Sequence, residues 1–137
     1  MLEQILLAVD GSEHSKRAIP LAADIARKSK GTVVVVHVRE HQVARGPVWE
    51  RESEDEVKKL LEGVIGELKS AGIEAKSEAR QALLGRAAQG ICDAADEHEA
   101  GLIVMGSRGL SDFQGLLLGS VTHKVIQLAR CPVLVTR

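Results

Sequence analysis

The sequence predicts an α/β fold: an open five-stranded parallel sheet with helices on both faces. Three observations lead there. The runs Ile5 to Val9, Thr32 to Val38 and Leu102 to Met105 are apolar almost throughout, as strands covered on both faces are. Segments with apolar residues at helical spacing separate the strands. The resulting βαβαβαβαβ alternation implies parallel strands joined by right-handed crossovers.

The first strand, Gln4 to Asp10, closes on Asp10-Gly11-Ser12. Ser12 suits the cap of a helix running to about Lys28, with Ala18, Ile19, Ala22, Ala23, Ile25 and Ala26 buried and Gly31 as the stop. Pro20 is too late for a first-turn proline and implies either a kink or a displaced start. Thr32 to Val38 is the second strand, and Glu40 to Glu50, with Gly46-Pro47 and no periodicity, is a loop.

Glu52 to Ala71 reads as a charged amphipathic helix with Val57, Leu60, Leu61, Val64, Ile65 and Leu68 inward, the run Glu50 to Lys59 as solvated face and Gly72 as the end. Ile73 to Ala79 alternates small or apolar residues with charged ones, as a half-exposed edge strand does. A third helix from about Gly85 to Glu99 buries Ala87, Ala88, Ile91, Cys92 and Ala95, and Gly90 weakens it by ~1 kcal/mol relative to alanine. Leu102 to Met105 is the fourth strand, Val121 to Arg130 the last helix and Pro132 to Thr136 the last strand.

At 137 residues the chain reads as one domain, 1–137, without linker or repeat, able to bury roughly 68% of its unfolded surface. Aromatic residues are 1% of the chain, Trp49 and Phe113, so the core is built from Val, Ile, Leu and Ala, and base-stacking nucleic-acid modules are disfavoured. A net charge of -1 without a basic block gives no support for binding nucleic acid or an anionic membrane. The start of the chain carries Glu3 and Gln4 and no cleavage site, so no signal peptide is expected, and no apolar stretch reaches the ~20 residues of a membrane span. Cys92 and Cys131 fit neither a CxxC pair nor a zinc ligand set and read as reduced core residues of a cytoplasmic protein.

Between the fourth strand and the last helix runs Gly106-Ser107-Arg108-Gly109, continuing to Gly119-Ser120. A strand, a glycine-rich loop and a helix start together suit a polyphosphate, because glycines admit close backbone approach and the first helical N–H groups supply donors and partial positive charge. The same residues also fit a surface turn with Ser120 as N-cap. Doubly wound sheets bind ligands where strand order reverses; with the order 3-2-1-4-5 the reversal lies between the first and fourth strands, whose carboxyl ends are Asp10 and Gly106.

Ile5 to Ser12, Val36-His37-Val38, Leu102 to Gly109, Leu118 to Val121 and Cys131 to Val135 together resemble the universal stress protein family, single-domain type, over nearly the whole chain. Gly106, two residues, Gly109, nine residues, then Gly119-Ser120 is similar to the motif of its ATP-binding branch. The resemblance implies a Rossmann-like fold of the adenine nucleotide alpha hydrolase type. It implies that Gly106, Gly109, Gly119, Ser120 and Val121 hold the phosphates of ATP, with Mg2+ or Mn2+ carried by the phosphates. Asp10 would face the adenosine, accepting from ribose hydroxyls or an amino group, or else only shape its turn; Ala8, Val38 and Met105 would line the adenine slot or be strand-end core alone.

Arg108 reads equally as a phosphate contact or a solvent-facing residue, His37 as a satisfied core histidine or a functional one, and His123 as exposed surface or a phosphate contact. Phe113 and Leu116 to Leu118 are apolar enough to imply packing or a partner. Two departures from the family pattern, Gly101 before the fourth strand and Gln81 to Arg86 before the third helix, are expected away from the phosphate loop.

The leading functional expectation is a cytoplasmic, homodimeric, ATP-binding module of the stress response, paired through Pro132 to Thr136 and acting on an unknown protein partner. A slow ATPase or phosphotransferase is the alternative; the chain has no Walker lysine motif and no clear carboxylate pair for magnesium. An interaction scaffold that makes no use of nucleotide is the third reading. Adenylate-handling α/β enzymes marked by HxGH or SGGxDS are disfavoured, since neither motif occurs.

Overall fold

The computed structural model describes residues 2–41, 53–109 and 118–137. The elements run β1 (Gln4–Ala8), α1 (Glu13–Ser29), β2 (Thr32–His41), α2 (Glu54–Ser70), β3 (Ala75–Leu83), α3 (Ala87–Glu97), β4 (Leu102–Gly106), α4 (Ser120–Leu128) and β5 (Val133–Thr136). The strands form one parallel sheet in the expected order β3-β2-β1-β4-β5.

Alternate residues of the central strands feed two cores. Ile5, Leu7, Val33, Val35, Leu102 and Val104 face α1 and α2, while Leu6, Ala8, Val34, Val36, Ile103 and Met105 face α3 and α4. Both aromatic residues, Trp49 and Phe113, lie outside the described residues, as do Leu116, Leu117 and most of the loop expected after Glu40. The described core is therefore aliphatic. α1 meets the sheet mainly through Ala18, Ala22, Ala23 and Ala26, and α3 through Ala88, Ala94 and Ala95.

Several boundaries differ from expectation for local reasons. Ser12 caps α1 by accepting from the Ser15 N–H at 3.1 Å, and the helix passes through Pro20 to Ser29. Pro20 is exposed, so water can replace the hydrogen bond its ring removes. The left-handed residue after α1 is Lys30, at φ 56°, and not Gly31. Gly31 lies so close to the Leu2 and Glu3 carbonyls that a Cβ there has no room. α2 ends as expected at Gly72, φ +79°: Ile73 N–H donates to Leu68 O at 2.9 Å and Gly72 N–H to Lys69 O at 2.9 Å, with Leu68 and Ile73 packed in one core. β3 starts later and runs further than its alternation implied, because Ala79 to Leu83 continue to pair with β2 beyond the rest of the sheet. Arg80 ties this edge strand to α3, with Glu78 Oε2 at 3.0 Å and Glu97 on its other side.

Two glycines serve close contacts. At Gly106 a Cβ would stand 2.6 Å from the His14 carbonyl carbon and 2.8 Å from the Ser15 nitrogen, so the start of α1 rests directly on the end of β4. At Gly90 a Cβ would stand 3.2 and 3.3 Å from the two methyls of Val38. Gly106→Ala is expected to destabilise the fold by about 2 kcal/mol or more, since only backbone can move aside. Gly90→Ala is expected to gain less than the ~1 kcal/mol of helix propensity, since Val38 must shift. Urea unfolding of both variants checks the pair.

Burial among apolar side chains raises the Cys92 thiol from 9.0 to about 11, with Asp96 adding to the effect. The folded state thus keeps this proton where the unfolded chain has lost it. Its contribution to stability is complete below pH 9.0 and is lost as pH rises through about 11. Unfolding free energy measured across that window is expected to fall, and to fall less steeply in Cys92→Ala.

Candidate functional site

β1 leads into α1 on one face of the sheet, and β4 leads towards α4 on the other. The chain therefore diverges between two adjacent strands and leaves a crevice at their carboxyl ends. β1 ends at Ala8, opposite Val36, while β2 and β3 run on through His37↔Ala79 to His41↔Leu83. This extension raises one wall of the crevice. The first turn of α4 and the segment after β4 form the other.

The cleft so enclosed measures about 510 Å³, within the roughly 300–1,000 Å³ typical of small-molecule sites. Its apolar lining comes from Ala8, Val36, Val38, Ala87, Ile91 and Met105, and its polar groups include Asp10, Ser15, His37, Arg39, Glu40, Glu56 and Arg108. Of the residues singled out from the sequence, Ala8, Asp10, Val38, Met105, Gly106, Arg108, Gly109, Ser120 and Val121 meet here. Gly119 sits just behind, as the N-cap of α4.

The polar groups are tightly interlinked. Gly11 at φ +84° turns the chain after β1, and Asp10 Oδ1 accepts the Ser12 N–H at 2.9 Å, the turn-making role expected as one of its two readings. Asp10 N–H donates to Ser15 Oγ at 3.1 Å. Ser12 Oγ, while capping α1, donates to the Arg108 carbonyl at 3.4 Å. On the far side, Thr122 Oγ1 donates to Gly106 O at 2.9 Å, Gly119 N–H to Ser107 O at 2.6 Å and Ser107 N–H to Thr136 O at 2.7 Å. The glycine segment is thus clamped between α1, α4 and β5.

Ser120 is the first residue of α4, exposed and not its cap. The helix closes its first turn with His123 N–H to Gly119 O at 3.0 Å, so the N–H groups of Ser120, Val121 and Thr122 precede the ladder at the cleft. His37 Nδ1 lies 2.7 Å from the Val9 carbonyl, which can only accept, so that nitrogen carries the proton and the ring is satisfied within the core as well as bordering the cleft. His123 is exposed and outside the lining. Arg108 is half-buried on the cleft wall, with Nη2 3.1 Å from His14 Nε2.

Sequence reasoning missed His14, Ser15, Arg39, Glu40, Glu56 and Thr122. A signal existed for Thr122 and Ser15: each is a polar residue at a buried helical position, where a hydrogen-bond partner is required. Glu56, at the start of α2, was hidden in a run read as solvated face. Gly101 lies at the opposite, amino end of β4, its N–H donating to Gln4 O at 2.9 Å. In the segment before α3, Gly85 O accepts from Lys124 Nζ of α4 at 3.4 Å, and the cleft lining takes up just past it, at Ala87 of α3.

The profile of the Universal stress protein family matches residues 1–137. A Thermus aquaticus universal stress protein is 37% identical over 143 aligned positions, and YxiE of Bacillus subtilis 34% over 151; both alignments cover 100% of each chain. Among solved structures, a universal stress protein from Archaeoglobus fulgidus in complex with dAMP is 28% identical, covers 100% of both chains and superposes with a TM-score of 0.76. A universal stress protein in complex with cAMP is 26% identical, with a TM-score of 0.72 and coverage of 99% of this chain and 97% of its own. No helix among the described residues is long and apolar enough to cross a membrane. With its doubly wound sheet, its cleft at the point where strand order reverses and these full-length likenesses, the chain belongs to the universal stress protein family.

Proposed function

We propose that residues 1–137 form a single cytoplasmic domain that binds ATP in this cleft and acts as a nucleotide-regulated, homodimeric module of the stress response. The observation that carries the reading is the meeting of an apolar slot, a carboxylate and a helix N-terminus beside a glycine-rich segment in one cleft of about 510 Å³. Structures similar to this chain that hold dAMP and cAMP support an adenine nucleotide as the occupant.

In this reading Ala8, Val38 and Met105 hold the adenine ring. Asp10 accepts from ribose hydroxyls or an amino group while its Oδ1 keeps the turn to Ser12 in place. The N–H groups of Gly109, Ser120 and Val121, with the Ser120 hydroxyl, meet the phosphates at the positive end of α4. Gly106 contributes by letting α1 close against β4, and Gly119, whose N–H donates to Ser107, by capping α4 and directing its first turn. Arg108 supplies the positive side chain beside them. Mg2+ or Mn2+ arrives with the phosphates, whose charge it offsets.

The direct test is to release and identify any small molecule carried by the purified protein, then to titrate the emptied protein with ATP, ADP and AMP. ATP is expected in the released fraction. Asp10→Ala is expected to weaken binding roughly tenfold, and Gly109→Val to abolish it by filling the space the phosphates need. A folded, emptied protein that binds none of the three nucleotides would overturn the reading.

For the dimer, the support is that β5 stands at a sheet edge with Val133, Leu134 and Val135 half-buried against a single neighbouring strand. Pairing of this edge with its copy across a two-fold axis would cover it. Light scattering at micromolar concentration is expected to give twice the chain mass for the wild type and the chain mass for Val135→Pro, which cannot donate to such a ladder.

A further inference from the structure

The pairing of Arg108 with His14 joins the glycine segment to a residue that no motif marks. Arg108 Nη2 lies 3.1 Å from His14 Nε2, both side chains half-buried, and Arg108 lines the crevice. Guanidinium nitrogens only donate, so in this contact Nε2 is the acceptor. The contact spans 94 residues of sequence, and the backbone of each partner makes a second contact close by. His14 is held because the α1 backbone abuts Gly106, and Arg108 because its carbonyl accepts from Ser12 Oγ. A long, rotamer-rich cation is therefore tethered at its tip as well as at its root.

We propose that His14 is a positioning residue for charge recognition: its imidazole holds the Arg108 guanidinium at the cleft, in place for the phosphate end of a bound nucleotide. The inference rests on the nucleotide reading above and deepens it. An arginine held at fewer points loses more rotational freedom on binding; one tethered to His14 as well loses less, and the difference appears as affinity. Only ligands that bear phosphate benefit. Adenosine, which occupies the same slot and carries no charge, is indifferent to where the guanidinium points.

The test uses the full chain emptied of ligand and compares ATP, AMP and adenosine by calorimetry in wild type, Arg108→Ala, His14→Ala, His14→Leu, His14→Gln and the double variant His14→Ala/Arg108→Ala. Thermal unfolding is followed in parallel. Arg108→Ala is expected to weaken ATP roughly tenfold, as loss of a charge-assisted contact does. His14→Ala should weaken it about threefold to fivefold through lost tethering. Adenosine should change by less than about twofold in each, and the double variant should match Arg108→Ala, since the histidine acts only through the arginine. His14→Gln, which restores an acceptor, should recover ATP binding. His14→Leu, which keeps bulk without an acceptor, should behave as His14→Ala and takes its place if the alanine variant fails to fold.

Equal losses for ATP and adenosine would make the histidine merely structural and overturn the proposal. Unchanged ATP binding in both His14→Ala and His14→Leu, failure of His14→Gln to recover it, or additive effects in the double variant would overturn it as well. Absence of binding by wild type to all three ligands would instead overturn the nucleotide reading, and this inference with it.

Discussion

The geometry of the cleft depends on one backbone contact, the seating of the α1 N-terminus on Gly106. No side chain separates the His14 carbonyl carbon from the end of β4. That closeness brings Ser12 to the Arg108 carbonyl and His14 to the Arg108 guanidinium. It also leaves the Gly106 carbonyl to Thr122 on the far side. Two helices of opposite faces thus converge on one strand end. In a doubly wound sheet that convergence is what turns the reversal of strand order into an enclosed site.

The aliphatic composition of the core makes such convergence attainable. With both aromatics outside the described core, helices α1 and α3 meet the sheet through alanines and single branched residues. Small contact residues let a helix lie close to a sheet, and interior packing density then leaves little slack. The same economy operates at Gly90, where α3 closes on Val38 and so holds one wall of the slot at a set distance from Ala8 and Met105.

The cleft is chemically uneven in a way that suits a ligand with an apolar end and a charged one. Apolar side chains cover the face backed by α3, whereas the α1 and α4 ends present backbone donors, hydroxyls and Arg108. Its charged lining is mixed, with Asp10, Glu40 and Glu56 against Arg39 and Arg108, so any attraction of a polyanion would fall to oriented donors close at hand more than to net charge. The hydrogen bonds from Ser12, Thr122 and Gly119 hold those donors before a ligand arrives.

Element types and about half of the cleft lining were legible in the sequence, because buried parallel strands, helical periodicity and a glycine-rich segment leave local patterns, whereas strand order is a matter of partners distant in sequence. Capping also left local marks at Ser12 and Gly72, where the residue type matches the backbone required. What the chain by itself could not determine concerns partners distant in sequence. Gly31 reads as a helix stop and Gly106 as a phosphate glycine; only in three dimensions does each prove to make room for another stretch of backbone. The extra length of β3 depends on β2 running past the sheet, and the places of Glu56, Thr122 and His14 depend on which helix ends converge there. Local pattern determines which face of an element is buried; only the packed fold decides what that face meets.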